Sequence, residues 1–561
     1  MEYTELSDYR LHPGILTGWV GAADPSQWRE DPRPLSANHE AHVLDSLAGE
    51  EQVAPEDWIG TAFRIRRPLD HDAFAETLRR WHARHEAYRT TAVRGSDGTG
   101  VQRKTLPADA VDVRTLDLGR VGTTDPSAAD APATADATGP DAADAPAPDL
   151  DIQKAIRKLF SREISVLRWP HLAVATIDPY AHGWDAAAGE ANAEDALATD
   201  DVAAPGDGWF TVVFGADHAI MDAYTQIFSI AELTELYRSV LDGTAAELPP
   251  TGSYVDFSTI ERAAADLLDA DHPAVARWRE FLAETNGFSG APGTDAVLAP
   301  PRFPLPVHGD PADADGGHRA DGSVAPDPAG DTVIDPLDAK FDRHGQLRQR
   351  SLSRWIFDDA TAKAFADRSK ELGSSQMGGF LTALKIALTS LSGGSEVRYI
   401  MPMHTRTSPE YALAAGWFVG LMPVADPLGD ATSFPEALSQ TTASVMANRD
   451  LVGHPYARVA QILDVTEPPR FVVSYVDTRH IPGATAWTPH ERALRSSIHS
   501  DDDVYLWINR GLGGLNVSMR YPDTAVAAES VERFLAAFTS VVEDVVATGD
   551  HAIARVLSPL G

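Results

Sequence analysis

The chain has 561 residues, with 82 Asp and Glu against 47 Lys and Arg, a formal charge of −35 and no cysteine. That balance excludes the two partners that need clustered cations, the nucleic-acid backbone and anionic lipid gripped by a polybasic face. The missing thiols exclude disulfides, thiolate metal sites and a cysteine nucleophile, and leave histidine, serine and carboxylates to do any chemistry.

Hydrophobic residues at 43% and 12 tryptophans can fill several cores, and at about 150 residues per domain the length suits two to four units. The start, MEYTELSDYRLHPG, lacks the basic and then apolar regions of a secretion signal. No apolar run approaches the ~18 residues of a membrane span. A cytoplasmic protein is expected.

In chain order, GTAFRIRRPLD predicts a strand, and HDAFAETLRRWHARHEAYR a helix with Phe74, Leu78, Trp81 and His85 at helical spacing. HLAVATID and WFTVVFGADH read as two apolar strands of a hairpin whose turn is replaced by an acidic insertion. AYTQIFSIAELTELYRSVL follows as a helix with Ile227, Ile230, Leu233, Tyr237 and Leu241 on one face and Asp222 at its N-cap. In the second half, DDATAKAFADRSKELG is a helix closed by Gly373. SSQMGGFLTALKIALTSL carries a core stripe of Met377, Phe380, Leu381, Leu384, Leu388 and Leu391. EVRYIMPMHTR is a strand running into a polar loop. DDVYLWINR and LNVSMRYP form a hairpin joined by GLGG. The last helix turns Val531, Phe534, Leu535, Phe538, Val541 and Val545 inward.

Three stretches rich in Ala, Asp and Pro, near 121–150, 185–208 and 308–331, have almost nothing to bury and read as disordered, solvated insertions. With them removed, the pattern is two mixed α/β lobes. Residues 1–270 form an N-terminal lobe, 271–345 an inter-lobe linker with an acidic insertion, and 346–561 a C-terminal lobe.

Several signatures fail. HEAH (39–42) and HARHE (82–86) lack the i, i+4 histidine pair of a zinc-protease helix, and no metal site is expected. No G-x-S-x-G elbow is present. GLGGL (511–515) and SGGSE (392–396) sit where turns are needed. His218 remains. It ends a strand that is apolar on both faces, where α/β proteins present catalytic groups to a crevice. A hydrogen-bonded histidine that merely terminates the strand fits the same position, and Asp222 caps the following helix in either case.

The segment DHAIMDA resembles the HHxxxDG signature of the condensation-domain and CoA-dependent acyltransferase superfamily. IRRPLDHDAFAETLRRWHARHEAYRT is similar to the family's early strand, helix and R-H-E-x-L-R-T segment, with Tyr88 in place of leucine. YIMPMHTRTSPEYALAAGWFVGLMPV is similar to its P-x-x-x-R and G-x-F-V-x-x-x-P region. LSDYRLHPGILTGWV and FVVSYVDTRHIPGA further resemble polyketide-associated (Pap-type) acyltransferases that decorate trehalose lipids. Asp217 stands where the signature's first histidine usually is, Ala223 replaces its glycine, and a D-F-G-W-G segment is absent.

The resemblance implies two chloramphenicol-acetyltransferase-like lobes with an active-site channel between them, to which the GWFVGLMPV stretch contributes. It implies His218 as general base, and Asp222 as a structural anion paired with Arg406. Asp217 falls in a slot that is usually structural. Ser474 and Asp477, in SYVDTR, are candidate contacts for a polyol acceptor. It implies no bound cofactor. The donor is an acyl thioester, acyl-CoA or phosphopantetheine-linked, and the acceptor a glycolipid or sugar hydroxyl, with trehalose preferred. A polyketide synthase or acyl carrier protein as partner, and peripheral contact with the inner face of the plasma membrane, fit the same reading. The rivals are a stand-alone nonribosomal-type condensation enzyme and a non-catalytic acyl-binding relative, the latter motivated by Asp217 and Ala223.

Overall fold

The computed structural model describes residues 1–48, 58–95, 100–122, 150–181, 208–283, 298–309, 340–342 and 345–553. The three acidic insertions lie almost wholly outside the described residues.

The first lobe is built on the strand Phe210–Asp217, all eight of whose residues are buried. A strand covered on both faces needs a near-continuous apolar sequence, which FTVVFGA supplies, its one hydroxyl, on Thr211, meeting His12 Nε2 at 2.7 Å. It pairs antiparallel with Trp58–Ile65 on one side and with Leu172–Asp178 on the other. Gly14–Ala22 and Asp112–Gly122 extend the sheet outward. One face packs Trp19, Phe74, Trp81 and Tyr237, including an edge-to-face contact of Phe74 on Phe210 at 5.5 Å. The other packs Leu16, Trp58, Phe160 and Val213.

The second lobe holds a six-stranded mixed sheet in the order Gln349–Asp358, Gly514–Pro522, Val504–Gly511, Phe471–Asp477, Glu396–His404, Val419–Pro427. Phe471–Asp477 runs parallel to both of its neighbours and the remaining pairs are antiparallel. The GLGG hairpin turns on Leu512 and Gly513 alone. Helices Asp359–Glu371, Gln376–Ser392, Phe434–Ala447 and Ala525–Thr548 cover one face, where Phe365, Phe380, Phe434 and Phe538 share a core. Gly373 and Gly393 follow two of these helices with φ of +82° and +72°, the left-handed geometry that glycine takes without strain. No helix among the described residues is long and apolar enough to cross a membrane.

Four expectations need correction. Arg492–Arg495 leaves the C-terminal lobe and lies between Glu2–Glu5 and Trp58–Ile65 in the first sheet; four residues are too few for a periodicity signal. The segment 271–345 is more than a linker. Its helix Pro273–Ala283 buries Trp278 against Ile400, Leu451 and Tyr456. The helix beginning at His71 stops at Arg84, and His85 is extended with φ −111° and ψ 108°, because its ring is drawn into the core toward Glu232. Leu241, the last residue of its helix, is 37% exposed and lies off the core face.

Candidate active site

Two carboxylates shape the turn after the central strand. Asp217 accepts the Ala219 N–H at 2.8 Å and so opens the short 3-10 turn His218–Ile220. Asp222 accepts the Thr225 N–H at 2.8 Å and caps the helix Ala223–Leu241. Both are N-cap bonds that satisfy otherwise orphaned amides. His218 is held between them, half-buried at the end of the central strand.

Asp222 has no capacity left to orient that imidazole. Its Oδ2 accepts Arg406 Nη1 at 2.5 Å and the Phe418 N–H at 3.0 Å, while Oδ1 also accepts Arg406 Nη2 at 3.0 Å. Arg406 donates further to Thr225 Oγ1 at 2.9 Å and Ala414 O at 3.1 Å. Its guanidinium lies 4.4 Å from the Phe418 ring and 5.1 Å from that of Tyr224. Burial pushes the Asp222 carboxyl up, and the charge and hydrogen bonds of Arg406 outweigh it, leaving the group below the usual carboxylate range.

Arg406 and Phe418 belong to the connection between the second-sheet strands Glu396–His404 and Val419–Pro427. This connection sends Tyr411, Ala414, Ala415 and Phe418 into the first lobe's core. His85, the R-H-E histidine, accepts the Ala415 N–H on Nδ1 at 3.3 Å and meets Glu232 through Nε2 at 2.7 Å. At Gly416 a Cβ would lie 2.3 Å from Tyr254 Cγ, so only glycine permits this close approach.

The next residue, Trp417, is thereby placed against His218, with ring centroids 4.6 Å apart and planes inclined at 43°. Trp417 also meets the His42 ring edge to face, at 5.8 Å and 86°. His42 Nε2 is 3.1 Å from Asp217 Oδ1. Asp217 is buried, which raises its carboxyl, and the His42 and Ala219 contacts bring it below the ordinary value. The sequence reading missed both His42 and Trp417. His42 lies in HEAH, weighed only as a metal motif, and Trp417 in the GWFVG stretch, weighed only as a bridge between lobes.

Ser474 and Asp477 lie on the strand Phe471–Asp477. Ser474 is buried. Asp477 is gripped by Arg479 through Nε at 2.9 Å and Nη2 at 2.6 Å. Arg479 Nη2 reaches on to Gln376 Oε1 at 3.1 Å. Arg479 also lines a cavity of about 540 Å³ of mixed charge, in which Arg510 and Lys363 pair with Asp359 and Asp367 beside Lys370 and the start of the helix Gln376–Ser392. His218 is not among its lining residues.

Residues 338–559 match the family model of the Condensation domain. Acyltransferase PapA3 of Mycobacterium tuberculosis is 26% identical over 350 residues, 61% of this chain and 65% of that protein. The 2'-acyl-2-O-sulfo-trehalose (hydroxy)phthioceranyltransferase PapA1 of Mycobacterium bovis is 26% identical over 339 residues, 59% of this chain and 57% of that protein. In each case the match spans less than two thirds of the relative. Among solved structures, PapA2 acyl transferase superposes with a TM-score of 0.71 at 19% identity, covering 97% of this chain and 100% of that one. The condensation domain of the monacolin K polyketide synthase MokA does so with 0.58 at 15%, covering 93% and 99%. The chain is thus similar to the Condensation domain over residues 338–559 and to Pap acyltransferases over about 60% of its length, and it shares the fold of PapA2 acyl transferase.

Proposed function

We propose that this protein is an O-acyltransferase that moves a fatty or polyketide acyl group from a thioester, acyl-CoA or carrier-bound, to a hydroxyl of a trehalose-based glycolipid or sugar. One observation carries the reading: His218 ends the most buried strand of the first lobe and meets Trp417 from the second, so its imidazole stands at the seam of the two halves. The relatives named as PapA1 and PapA2 act on sulfated trehalose by those names, which supports a disaccharide acceptor.

Ester formation needs a base at the alcohol, because free alkoxide is scarce near neutral pH, and imidazole with an ordinary pKa of ~6.5 suits the task. In the proposed step His218 takes the hydroxyl proton as the oxygen attacks the thioester carbonyl. The C–S bond breaks as the C–O bond forms, and the proton passes to the departing thiolate. Positioned proton transfer of this kind contributes roughly 10² to 10⁴ in rate, and juxtaposition of the substrates much of the rest. Donor and acceptor are read as meeting in a channel between the lobes. A carrier protein or polyketide synthase as supplier, and contact with the inner face of the membrane, belong to the same proposal.

The test is thiol release from acyl-CoA in the presence of trehalose or sulfated trehalose, by the wild type and His218→Ala. Acceptor-dependent release lost in the variant supports the reading, and equal release by both removes it.

A further inference from the structure

A histidine base is ordinarily aimed by a hydrogen bond at its far nitrogen. His218 lacks that device: its Nδ1 is buried and has no hydrogen-bond partner among the described residues. Asp222, four positions on, is occupied by Arg406, Thr225 and the Phe418 amide. The neighbouring Asp217 turns its Oδ1 to Ala219 and His42. A ring without such a bond is restrained only by packing, since the terminal torsion of histidine is broad and roughly two-fold.

Packing is what the structure supplies. The Trp417 indole lies against the imidazole at 4.6 Å. Trp417 is fixed along its backbone by Gly416, which fits only against Tyr254, and by the Phe418 N–H on Asp222. It meets the ring of His42, which Asp217 holds at 3.1 Å.

We infer that Trp417, steadied by His42 and Asp217, is the positioning residue of His218, aiming the base by ring contact in place of a hydrogen bond. Asp217 thus reaches His218 in two ways, through the turn it caps at Ala219 and through the rings of His42 and Trp417. This assigns a role to the aspartate in the slot where a histidine is usual. It also ties the aim of the base to docking of the 405–418 connection, because the aiming ring comes from the other lobe. The inference rests on His218 acting as the base.

The experiment uses the full chain labelled with ¹³C-histidine, the His218 signal being assigned by its loss in His218→Gln. In the wild type its ring protons are shifted upfield by the indole. Trp417→Leu removes that shift and lowers kcat for acyl-CoA thiol release by about 10- to 100-fold, the scale expected of a misplaced reacting group, with KM within about two-fold. Trp417→Phe restores most of the rate, and His42→Phe, which keeps a ring edge but no bond to Asp217, falls between wild type and His42→Ala. Asp217→Asn, which keeps an acceptor oxygen, outperforms Asp217→Ala. An unshifted His218 signal in the wild type, or wild-type kcat in Trp417→Leu, overturns the inference. Should no thioester be turned over by any protein while Trp417→Leu still abolishes the shift, the aiming contact stands and the acyl-transfer reading falls.

Discussion

Asp222 and Arg406 are joined by two parallel hydrogen bonds of 2.5 and 3.0 Å, with side chains only 2% and 5% exposed. One caps a first-lobe helix, and the other belongs to the connection between two strands of the second sheet. Breaking one side of such a pair leaves a desolvated charge, a loss of about 3 to 5 kcal/mol. Asp222→Ala and Arg406→Ala are expected to lower the unfolding free energy extrapolated from urea titrations by that amount. The double variant should lose less than the sum of the two.

The same carboxyl gives the protein an acid limit. Its folded pKa is lower than the unfolded one, so its contribution is complete above the unfolded value near 3.8 and disappears as pH falls through the lower folded value. Urea midpoints measured from pH 7 downward should drop below about pH 4, and Asp222→Asn should flatten part of that slope while lowering the plateau.

His218 has the opposite profile. No hydrogen bond to its Nδ1 is lost on truncation, so His218→Ala should change unfolding free energy by about 1 kcal/mol or less. Acyl transfer should fall by about 10² to 10⁴. Parallel melting and thiol-release measurements separate the two effects.

Gly416→Ala should cost both stability and rate. Its Cβ would press on the Tyr254 ring at 2.3 Å, and the residue has φ of +155°. Overpacking of this kind destabilises by about 1 to 3 kcal/mol. The displaced backbone would carry Trp417 off His218, which a loss of kcat in the refolded variant would report.

Glu261 accepts the Ala37 N–H at 2.7 Å at the start of the helix Ala37–Ala48. Burial pushes its carboxyl up from 4.5 to about 7. Its neutral form favours the fold, so this stability is full below 4.5 and is lost as pH rises through about 7. Glu261→Gln keeps an acceptor oxygen and no charge. It should melt higher than wild type at pH 8 and close to it at pH 5.

Elements whose burial is encoded locally were legible in the sequence. Phe210–Ala216 is apolar but for Thr211 because both of its faces are covered, and the helix Gln376–Ser392 is rich in apolar residues because it is buried all round from Gly378 to Thr389. The Asp222 cap was readable from its position. Its pairing with Arg406 came only with the family resemblance, since nothing local marks an ion pair between distant segments. His85 shows how tertiary contact overrides a local pattern: it keeps the helical spacing, yet Glu232 and Ala415 draw it out of the helix. Trp417, His42 and His218 come from three separate parts of the chain, and no spacing rule brings such rings together.

Arg492–Arg495 lies within the stretch that matches the family model, yet its hydrogen bonds are made in the opposite sheet, with a neighbour on each side. Excised as 338–559, this stretch would carry a four-residue ribbon whose amides and carbonyls have lost both partners, and the remainder would keep a gap beside Trp58–Ile65. The halves are laced rather than stacked, and any split version must be cut elsewhere or co-expressed so that the ribbon finds its slot.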